Sequence, residues 1–441
     1  MKNTGVWNAL KRAHPLKAVL WGYILYIFVG WLLLLLPFSR ATSSSALDHL
    51  FTAASALSTT GLVTISVSDD YTFWGQLVVL LLIQMGGMGY MTITSCFFLF
   101  RHEQLDDHRA EIAKVVFALP QSFQLDRFLR GVIAFTAVAE TLGAVALYFI
   151  FRKHGVADPL WSAIFHSISA FCTAGFSLYN GSFISMMHDP WLTIVLALIS
   201  YTGGIGFIVC MDYWRKIRGE IEEVTLTSRI IVRSTLAIGA IGSFLLFIGE
   251  PSIQALPRDT RLLAAIFQAM TASTTVGFNT IPIDAVSHAS ALLLIVMMVI
   301  GASPSGTGGG VKTTTLSIVY ATIMSNLRGR KRITFHRKPI PDERVRAAFA
   351  NLGFYVFFLL TGFYLLALTE DASFQDMLFE AVSALGTVGL SMGLTSSLTD
   401  LGKIVIIVLM FAGRLGPMTM GIALFLRNPK ASAAEDNDVV V

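Results

Sequence analysis

Long apolar stretches recur along the whole chain, and each is close to the length that crosses a lipid bilayer. A helix needs roughly 20 residues to cross the ~30 Å hydrocarbon core of a membrane. Stretches of this kind centre on residues 18–37, 75–100, 131–151, 191–211, 231–249, 290–323, 349–368 and 403–426. The first follows a basic start, as in a signal peptide, but it is long and no convincing cleavage site follows Pro37, so we expect a retained helix. The pattern predicts an all-α polytopic membrane protein with eight transmembrane helices.

Between the two spans of each consecutive pair lies a shorter apolar segment that ends in a glycine. Aligned on Gly61, Gly175, Gly277 and Gly389, these segments read LFTAASALSTTGLV, IFHSISAFCTAGFS, IFQAMTASTTVGFN and LFEAVSALGTVGLS. Counting back from the glycine, the second residue is always Thr, the fifth always Ala, the sixth Ser or Thr, and the tenth always Phe. The segments are too short to span. Because each unit crosses the membrane twice, all four share one orientation and can surround one axis along the membrane normal.

The repeated Thr-x-Gly has the chemistry of a cation filter. Non-helical backbone at membrane depth is tolerated only where it is buried in protein or lines a water-filled cavity. A half-helix directs its negative dipole end toward the axis, and glycine keeps side chains out of the lumen. Rings of carbonyl and hydroxyl oxygens can replace the hydration shell of a monovalent cation. Four tight helix-to-helix turns are the alternative, and the fourfold recurrence at one place disfavours it.

We therefore predict four re-entrant half-helices in pseudo-fourfold arrangement around one central pore. The predicted selectivity filter consists of Thr59, Thr60, Gly61, Thr173, Ala174, Gly175, Thr275, Val276, Gly277, Thr387, Val388 and Gly389, with potassium bound at its glycines and threonines. Polar residues also stand nine positions before each glycine, at Thr52, His166, Gln268 and Glu380. We expect these four to satisfy half-helix N-termini or to hold the modules together, and not to bind the ion.

Two features inside the predicted spans break the apolar pattern. The sixth span contains GASPSGTGGG at 301–310, and Gly costs about 1 and Pro about 3 kcal/mol in a helix interior, so a loop lining the pore is expected. GGGVKT at 308–313 is unlike a phosphate-binding loop, because Val311 separates the glycines from Lys312. Arg414 lies at membrane depth, where a charge usually faces a cavity. An ion pair with Glu140 or Glu380 is the alternative for Arg414.

Charge and motifs narrow the class further. With the N-terminus inside, the basic segments 101–130, 215–233 and 328–346 also lie inside. We expect a multi-pass plasma-membrane protein with cytoplasmic N- and C-termini, and the net charge of +4 then reports topology and not a nucleic-acid partner. The cysteines Cys96, Cys172 and Cys210 lack metal-ligand spacing and are interpreted as buried small side chains. We find no HExxH and no paired membrane aspartates, so an enzyme is not expected.

From about Leu16 to Leu426 the chain resembles the Trk/Ktr/HKT superfamily of potassium transporters, whose members carry four span, pore-loop, span units with one filter glycine each. It most resembles the membrane subunit of a bacterial Ktr potassium uptake system, because no extra spans precede the first unit. Plant members often have Ser at the first filter glycine, and the resemblance associates Gly61 with potassium selection. It also implies a gate beneath the filter, formed by Gly301, Ser303, Pro304, Ser305, Gly306, Thr307, Gly308, Gly309, Gly310, Lys312 and Arg414.

These patterns together predict potassium uptake across the cell membrane through a channel-like pore gated by the glycine-rich loop, with sodium as a candidate coupling ion. A less selective sodium or mixed monovalent cation transporter is the alternative, because the filter keeps a single glycine per module. No cofactor is expected in this chain beyond the transported K⁺, with Na⁺ as a second candidate. The resemblance implies a homodimer in the lipid bilayer, docked on a cytosolic ring of nucleotide-binding regulatory subunits.

The predicted boundaries follow the repeat. They are 1–15 for a cytosolic N-terminal tail, 16–101 for pore module 1, 102–215 for pore module 2, 216–327 for pore module 3 with its intramembrane gate loop 301–313, 328–428 for pore module 4, and 429–441 for a cytosolic C-terminal tail. Glycine-rich stretches in two other second spans, QMGGMGY at 84–90 and YTGGIGF at 201–207, are predicted to permit close helix contact, with a second gate as the alternative.

Overall fold

The computed structural model describes residues 15–89, 125–304, 306–330, 332–335, 338–416 and 420–421. In these ranges the α-helices are α1 (Pro15–Leu35), α2 (Ala46–Leu57), α3 (Val67–Asp70), α4 (Phe73–Met88), α5 (Leu125–Lys153), α6 (Pro159–Phe171), α7 (Pro190–Ile205), α8 (Phe207–Ile217), α9 (Leu226–Gly249), α10 (Pro251–Gln254), α11 (Arg258–Thr274), α12 (His288–Val299), α13 (Thr313–Leu327), α14 (Asp342–Thr369), α15 (Phe374–Gly386) and α16 (Asp400–Leu415). Turns of 3₁₀-helix lie at Pro37–Ser39, Ile184–Met186 and Leu394–Ser397. A short antiparallel pair, β1 (Thr334–Phe335) and β2 (Lys338–Pro339), precedes α14.

Several helices have the length and apolar character of membrane spans. In the described ranges, Leu129–Lys153 of α5, α9 and α14 are long and apolar enough to cross a bilayer. The pair α7 and α8 is a fourth candidate if it counts as one span, although it bends by 98°. Apolar helices at Val19–Leu35, α4 and α12 are shorter. The spans expected at 131–151, 231–249 and 349–368 thus coincide with full-length helices, and the complete set of eight stays a prediction.

Part of the predicted organisation lies outside the described residues. This applies to both tails except Pro15, to the second half of the span expected at 75–100, to the start of module 2, and to the end of the span expected at 403–426. Cys96 also lies there, whereas Cys172 is buried, as expected, and Cys210 is only half-buried.

The helices α2, α6, α11 and α15 coincide with the repeated apolar segments, and we call them half-helices. Each packs against the long helix that precedes it in its module: α1, α5, α9 and α14 respectively. The second helix of each module also packs against the half-helix of the next module, α4 on α6, α7 on α11 and α12 on α15. The last second helix, α16, packs on the first half-helix, α2. The four modules therefore close into a ring in chain order.

The repeated side chains lie at the centre of this packing. Two of the repeated positions are completely buried in all four copies. They are the phenylalanine ten residues before each glycine (Phe51, Phe165, Phe267 and Phe379) and the alanine five residues before each glycine. Small residues allow helices to approach closely where lipid removes the hydrophobic driving force between them. The sequence repeat is therefore also a repeat of packing positions.

An ion pair joins the first and last modules at the side where the half-helices begin, which we call the mouth side. Lys403 of α16 lies 2.8 Å from the Asp48 carboxylate of α2, and the Thr64 hydroxyl donates to the same carboxylate oxygen at 2.9 Å. Burial raises the pKa of Asp48, but the hydrogen bonds from Lys403, Ser45 and Thr64 and the charge of Lys403 outweigh it and lower the pKa below its ordinary value.

We expect Asp48→Asn to lower the free energy of unfolding at neutral pH by roughly 1.5–3 kcal/mol, the range for hydrogen bonds to charged groups. A carboxylate whose pKa is lower in the folded state stabilises above its unfolded pKa of about 4, and this contribution is lost as the pH falls through the folded value. The difference in melting temperature between wild type and variant should therefore be full at pH 7 and shrink below about pH 4. Asp400→Asn is the control, because Asp400 lies 3.8 Å from the same lysine with a side chain 82% exposed; an equal loss there would contradict the role of Asp48.

Candidate ion filter and gate

The four loops that follow the half-helices share one backbone conformation. Their threonines Thr59, Thr173, Thr275 and Thr387 have φ of 53°, 50°, 59° and 49°, and their glycines Gly61, Gly175, Gly277 and Gly389 have φ of 92°, 68°, 85° and 91°. A left-handed conformation costs an L-residue roughly 1–2 kcal/mol, and it is a genuine outlier for a β-branched side chain. Strain of this kind persists only where the surrounding structure imposes it.

The four glycines face one another in a closed ring. A Cβ built on Gly61 would lie 3.1 Å from the Cα of Gly175. A Cβ on Gly175 would lie 3.1 Å from the Cα of Gly277, and one on Gly277 would lie 3.1 Å from the Cα of Gly389. The ring closes because a Cβ on Gly389 would lie 3.1 Å from the Cα of Gly61. Each such Cβ would also collide with the carbonyl oxygen of the residue before the next glycine: Ala174, Val276, Val388 or Thr60. The ring therefore has no room for a side chain, and it brings the predicted filter residues of all four modules together.

Hydroxyl groups in three of the half-helices brace these loops. The Ser55 hydroxyl accepts a hydrogen bond from the Gly61 amide at 3.1 Å, and Ser383 accepts from the Gly389 amide at 3.1 Å. The Ser169 hydroxyl donates to the Phe176 carbonyl at 2.8 Å. These are the Ser or Thr residues six positions before each glycine, so the repeat at this position supports the strained loop.

The predicted gate loop lies directly against the threonines of the filter. The Thr307 carbonyl accepts from the Thr59 hydroxyl at 3.2 Å, and the Thr307 and Thr173 hydroxyls are 3.0 Å apart. A Cβ on Gly308 would meet the Thr275 hydroxyl, and a Cβ on Gly309 would lie 2.9 Å from the Thr387 methyl. Three consecutive loop residues therefore contact all four left-handed threonines, on the side away from the mouth.

The loop backbone is satisfied partly by the glycine pair of α7. Ser303 and Thr307 donate their amides to the carbonyls of Gly204 at 3.2 Å and Gly203 at 3.3 Å. Within the loop, the Ala302 amide donates to Gly309 at 3.0 Å. Lys312 donates to the Gly308 carbonyl at 2.7 Å. These partners explain how an irregular segment is tolerated among membrane helices.

The remaining glycines of the predicted gate pack closely against neighbouring backbone. Gly301 and Gly310 lie back to back, because a Cβ on Gly301 would come within 2.6 Å of the Gly310 Cα. A Cβ on Gly306 would lie 2.6 Å from the Gly204 carbonyl oxygen. Pro304 lies in the connecting turn. Ser305 falls outside the described residues.

Arg414 fastens the gate loop to the first module. Its guanidinium donates to the Thr307 carbonyl, to the Gly86 carbonyl and, at 3.0 Å, to the Thr59 hydroxyl. A further contact at 3.4 Å reaches the Gly87 carbonyl. One side chain of module 4 thus bridges modules 1 and 3 just below the filter.

The alternative for Arg414, an ion pair with Glu140 or Glu380, is not found among the described residues. The Glu140 carboxylate instead accepts from the Gln84 amide at 3.2 Å. Glu380 accepts from the hydroxyls of Ser391 and, at 2.7 Å, Thr395. Among the described residues the guanidinium therefore meets backbone carbonyls and a hydroxyl, without a carboxylate partner.

We expect Thr307→Val to raise potassium flux at least roughly fivefold, because it removes two hydrogen bonds worth about 0.5–1.5 kcal/mol each. The lost hydroxyl contacts Thr173 and donates to the Phe171 carbonyl at 3.1 Å, and both contacts hold the loop against the filter. The measurement is potassium uptake into liposomes. Thr322→Val in α13 is the matched control, since that hydroxyl donates only to its own helix, at the Ile318 carbonyl. Equal flux from the two variants would contradict a latching role for Thr307.

A second repeat was not recognised in the sequence. The second helices α4, α7 and α16 contain Gly-x-x-Gly and end at its second glycine, at Gly89, Gly206 and Gly416, with φ of 76°, 95° and 86°. The first glycine of each motif packs against the last turn of a half-helix, at the carbonyls of Leu57, Phe171 and Leu385. Close contact by the glycines of 84–90 and 201–207 is thereby confirmed. The common spacing of 86/89, 203/206 and 413/416 was the signal that could have found these breaks.

Comparisons with known proteins identify the family to which this chain belongs. The family model described as "TrkH: Cation transport protein" matches residues 29–434. The chain belongs to the TrkH family of cation transport proteins. Among TrkH-family relatives, a Ktr system potassium uptake protein B of Vibrio alginolyticus is 32% identical over 96% of this chain and 94% of that protein. Another from Bacillus subtilis is 33% identical over 92% of each.

Two further comparisons extend this picture. The potassium/sodium uptake protein NtpJ of Enterococcus hirae is 33% identical over 96% of this chain and 95% of its own length. The crystal structure of the potassium transporter TrkH from Vibrio parahaemolyticus shares the fold, with a TM-score of 0.73 and 19% identity over 92% of this chain and 83% of that one. The resemblance to the Trk and Ktr proteins is thereby confirmed, and the chain is a potassium/cation transport membrane protein of that family.

Proposed function

We propose that this chain conducts potassium into the cell through a central pore whose filter is the ring of four Thr-x-Gly loops. The observation that carries the proposal is the closed contact of Gly61, Gly175, Gly277 and Gly389, each preceded by a left-handed threonine. A ring of backbone oxygens at fixed spacing can replace the hydration shell of a monovalent cation. The potassium uptake named for the Vibrio and Bacillus relatives supports the choice of ion.

Beneath the filter, the loop 301–313 acts as the gate. Its contacts with the four threonines place it directly against the filter loops, and Arg414 holds it in place. A positive charge at this level opposes cation passage, so movement of the loop and of Arg414 accompanies opening. We propose that the chain transports the ion without catalysing a reaction, as expected for a family of transporters.

The membrane arrangement and partners belong to the same proposal. Four modules, each with two spans and a half-helix, give eight crossings with both termini in the cytoplasm, and the basic segments 215–233 and 328–346 support this orientation. The words "Ktr system" in the names of two relatives support a multi-subunit assembly. We propose a homodimer on a cytosolic ring of nucleotide-binding subunits, and the mass of the purified complex tests it.

A less selective sodium or mixed monovalent cation transporter is the second candidate. Its support is the single glycine per loop and the potassium/sodium uptake named for the Enterococcus relative. Sodium then serves either as a transported ion or as a coupling ion.

Flux into liposomes that contain the purified chain decides between the two. Potassium and sodium uptake are measured separately, with and without an opposing sodium gradient. Potassium uptake well above sodium uptake supports the first proposal, and comparable uptake of both supports the second. A response of potassium uptake to the sodium gradient indicates coupling. If the chain and its cytosolic partner together pass neither ion, the pore proposal fails.

A further inference from the structure

The polar residue nine positions before each filter glycine holds a loop in place in two of the modules. Thr52, His166, Gln268 and Glu380 are all completely buried. In modules 2 and 4 this side chain contacts the residue two positions after the glycine, and we compare the same two positions in all four modules. The residues two positions after the glycine, on the segment that returns toward the mouth, are Val63, Ser177, Asn279 and Ser391. The contacts across this pair differ from module to module.

Modules 2 and 4 form a clamp between the half-helix and the returning segment. His166 places one ring nitrogen 2.7 Å from the Ser162 carbonyl, so that nitrogen donates. The other nitrogen then accepts from the Ser177 hydroxyl at 3.0 Å and the Leu178 amide at 3.2 Å. In module 4, Glu380 accepts from the hydroxyls of Ser391 and Thr395. A neutral side chain in module 2 and an acidic one in module 4 therefore both accept hydrogen bonds from the returning segment.

Module 1 has its clamp one helical turn earlier. Val63 offers no polar group, and the Thr52 hydroxyl donates to its own helix at the Asp48 carbonyl. The Asp48 carboxylate instead accepts from the Thr64 hydroxyl at 2.9 Å. The first returning segment is thus also tied to its half-helix by a side chain.

Module 3 lacks this tie. Neither amide atom of Gln268 has a hydrogen-bond partner among the described residues, and the Thr271 hydroxyl, which matches Ser55, Ser169 and Ser383, has none either. The Asn279 side chain donates to Ile281 of its own segment at 2.9 Å. Its backbone is held by module 2, through the Ser182 hydroxyl at 3.2 Å and the Phe183 amide at 3.0 Å.

The third loop contacts the gate loop without a hydrogen bond. Its Thr275 hydroxyl faces Gly308 but has no hydrogen-bond partner among the described residues, whereas Thr59 and Thr173 are hydrogen-bonded to Thr307. The gate loop therefore does not fix the third loop through a hydrogen bond either. The third loop is the one whose own half-helix holds it through backbone hydrogen bonds, such as Val276 to Thr271 at 3.1 Å, without a side-chain clamp.

We propose that the third loop, which Gln268 and Asn279 leave unclamped, is the adjustable quarter of the filter and limits its ion discrimination. The inference rests on the proposed potassium pore. A filter loop held from behind keeps its oxygens at a fixed spacing, whereas an unclamped loop can adapt to a smaller ion. The Gln268 and Asn279 pair accordingly sets the preference of the filter for potassium over sodium.

The test transplants clamps between modules. Gln268→Glu with Asn279→Ser copies the module 4 pair, and Gln268→His with Asn279→Ser copies the neutral module 2 pair. Both double variants should raise the ratio of potassium to sodium flux in liposomes roughly threefold or more, because both hold the third loop. The reverse exchange, Glu380→Gln with Ser391→Asn, should lower the ratio by a similar factor. Melting temperature and elution volume are measured alongside to separate discrimination from folding.

The outcomes separate this inference from the proposed function. If wild type shows no preference for potassium, the proposed function has failed. If wild type prefers potassium but neither folded clamp variant changes the flux ratio, the inference alone is wrong. A change in the glutamate variant without one in the histidine variant would assign the effect to charge and also overturn the clamp. Should one double variant not fold, the other and the reverse exchange still decide.

Discussion

Gly389→Ala is expected to bring the ratio of potassium to sodium flux down to about one and to reduce potassium flux at least about tenfold, through overpacking of a ring without free space. A Cβ at this position would collide with the Thr60 carbonyl oxygen and lie 3.1 Å from the Gly61 Cα. Alanine is also strained at the φ of 91° that Gly389 adopts. Flux of both ions into liposomes measures the effect.

Gly393→Ala provides a matched control four residues away. Gly393 has a φ of 98°, so alanine there meets the same backbone strain, but a Cβ would have nothing within 4 Å. Loss of selectivity in both variants would assign the effect to strain in module 4 and not to the ring. Unchanged selectivity in a folded Gly389→Ala protein would remove the main support for the filter.

Arg414→Met is expected to raise potassium flux roughly tenfold or more. Hydrogen bonds to charged groups contribute about 1.5–3 kcal/mol each, and 1.4 kcal/mol corresponds to a factor of ten in the balance between closed and open gate. Methionine removes both the bonds to Thr307 and Gly86 and the positive charge below the filter. Initial rates of potassium uptake, normalised to reconstituted protein, give the comparison.

Arg414→Lys separates the two roles of this residue. Lysine keeps the charge but cannot donate two parallel bonds as a guanidinium does. If the fork to Thr307 and Gly86 closes the gate, the lysine variant should also conduct faster than wild type, although less than the methionine variant. If charge alone limits flux, lysine should leave it low. A decrease in flux in both variants would contradict a closing role for Arg414.

The sequence predicted the half-helices and their order because four copies of one pattern carry far more information than one. It could not predict the ring contacts in chain order, since α4, α7, α12 and α16 carry no signal that says which half-helix each will meet. The position of the gate loop against the threonines came from family resemblance alone. Composition shows only that a helix must break at 301–310.

The partners of Arg414 illustrate a second limit. An arginine at membrane depth leads one to search for a carboxylate, and Glu140 and Glu380 were the available candidates. The actual partners are mostly backbone carbonyls, at Thr307 and Gly86, which leave no trace in residue identity. Whether these carbonyls can reach the Arg414 guanidinium depends on the glycine breaks that end the second helices. The Gly-x-x-Gly repeat at these breaks is present in the sequence. The missing clamp at Gln268 is likewise visible only from hydrogen-bond partners.

The packing of α16 on α2 has a consequence for how the protein is made. A chain emerging from the ribosome delivers module 1 first, and the wall beside α2 stays open until α16 has entered the bilayer. Arg414, which fastens the gate, arrives on that same last helix. Under the proposed function, the pore wall and the side chain that holds its gate are therefore completed together at the end of translation.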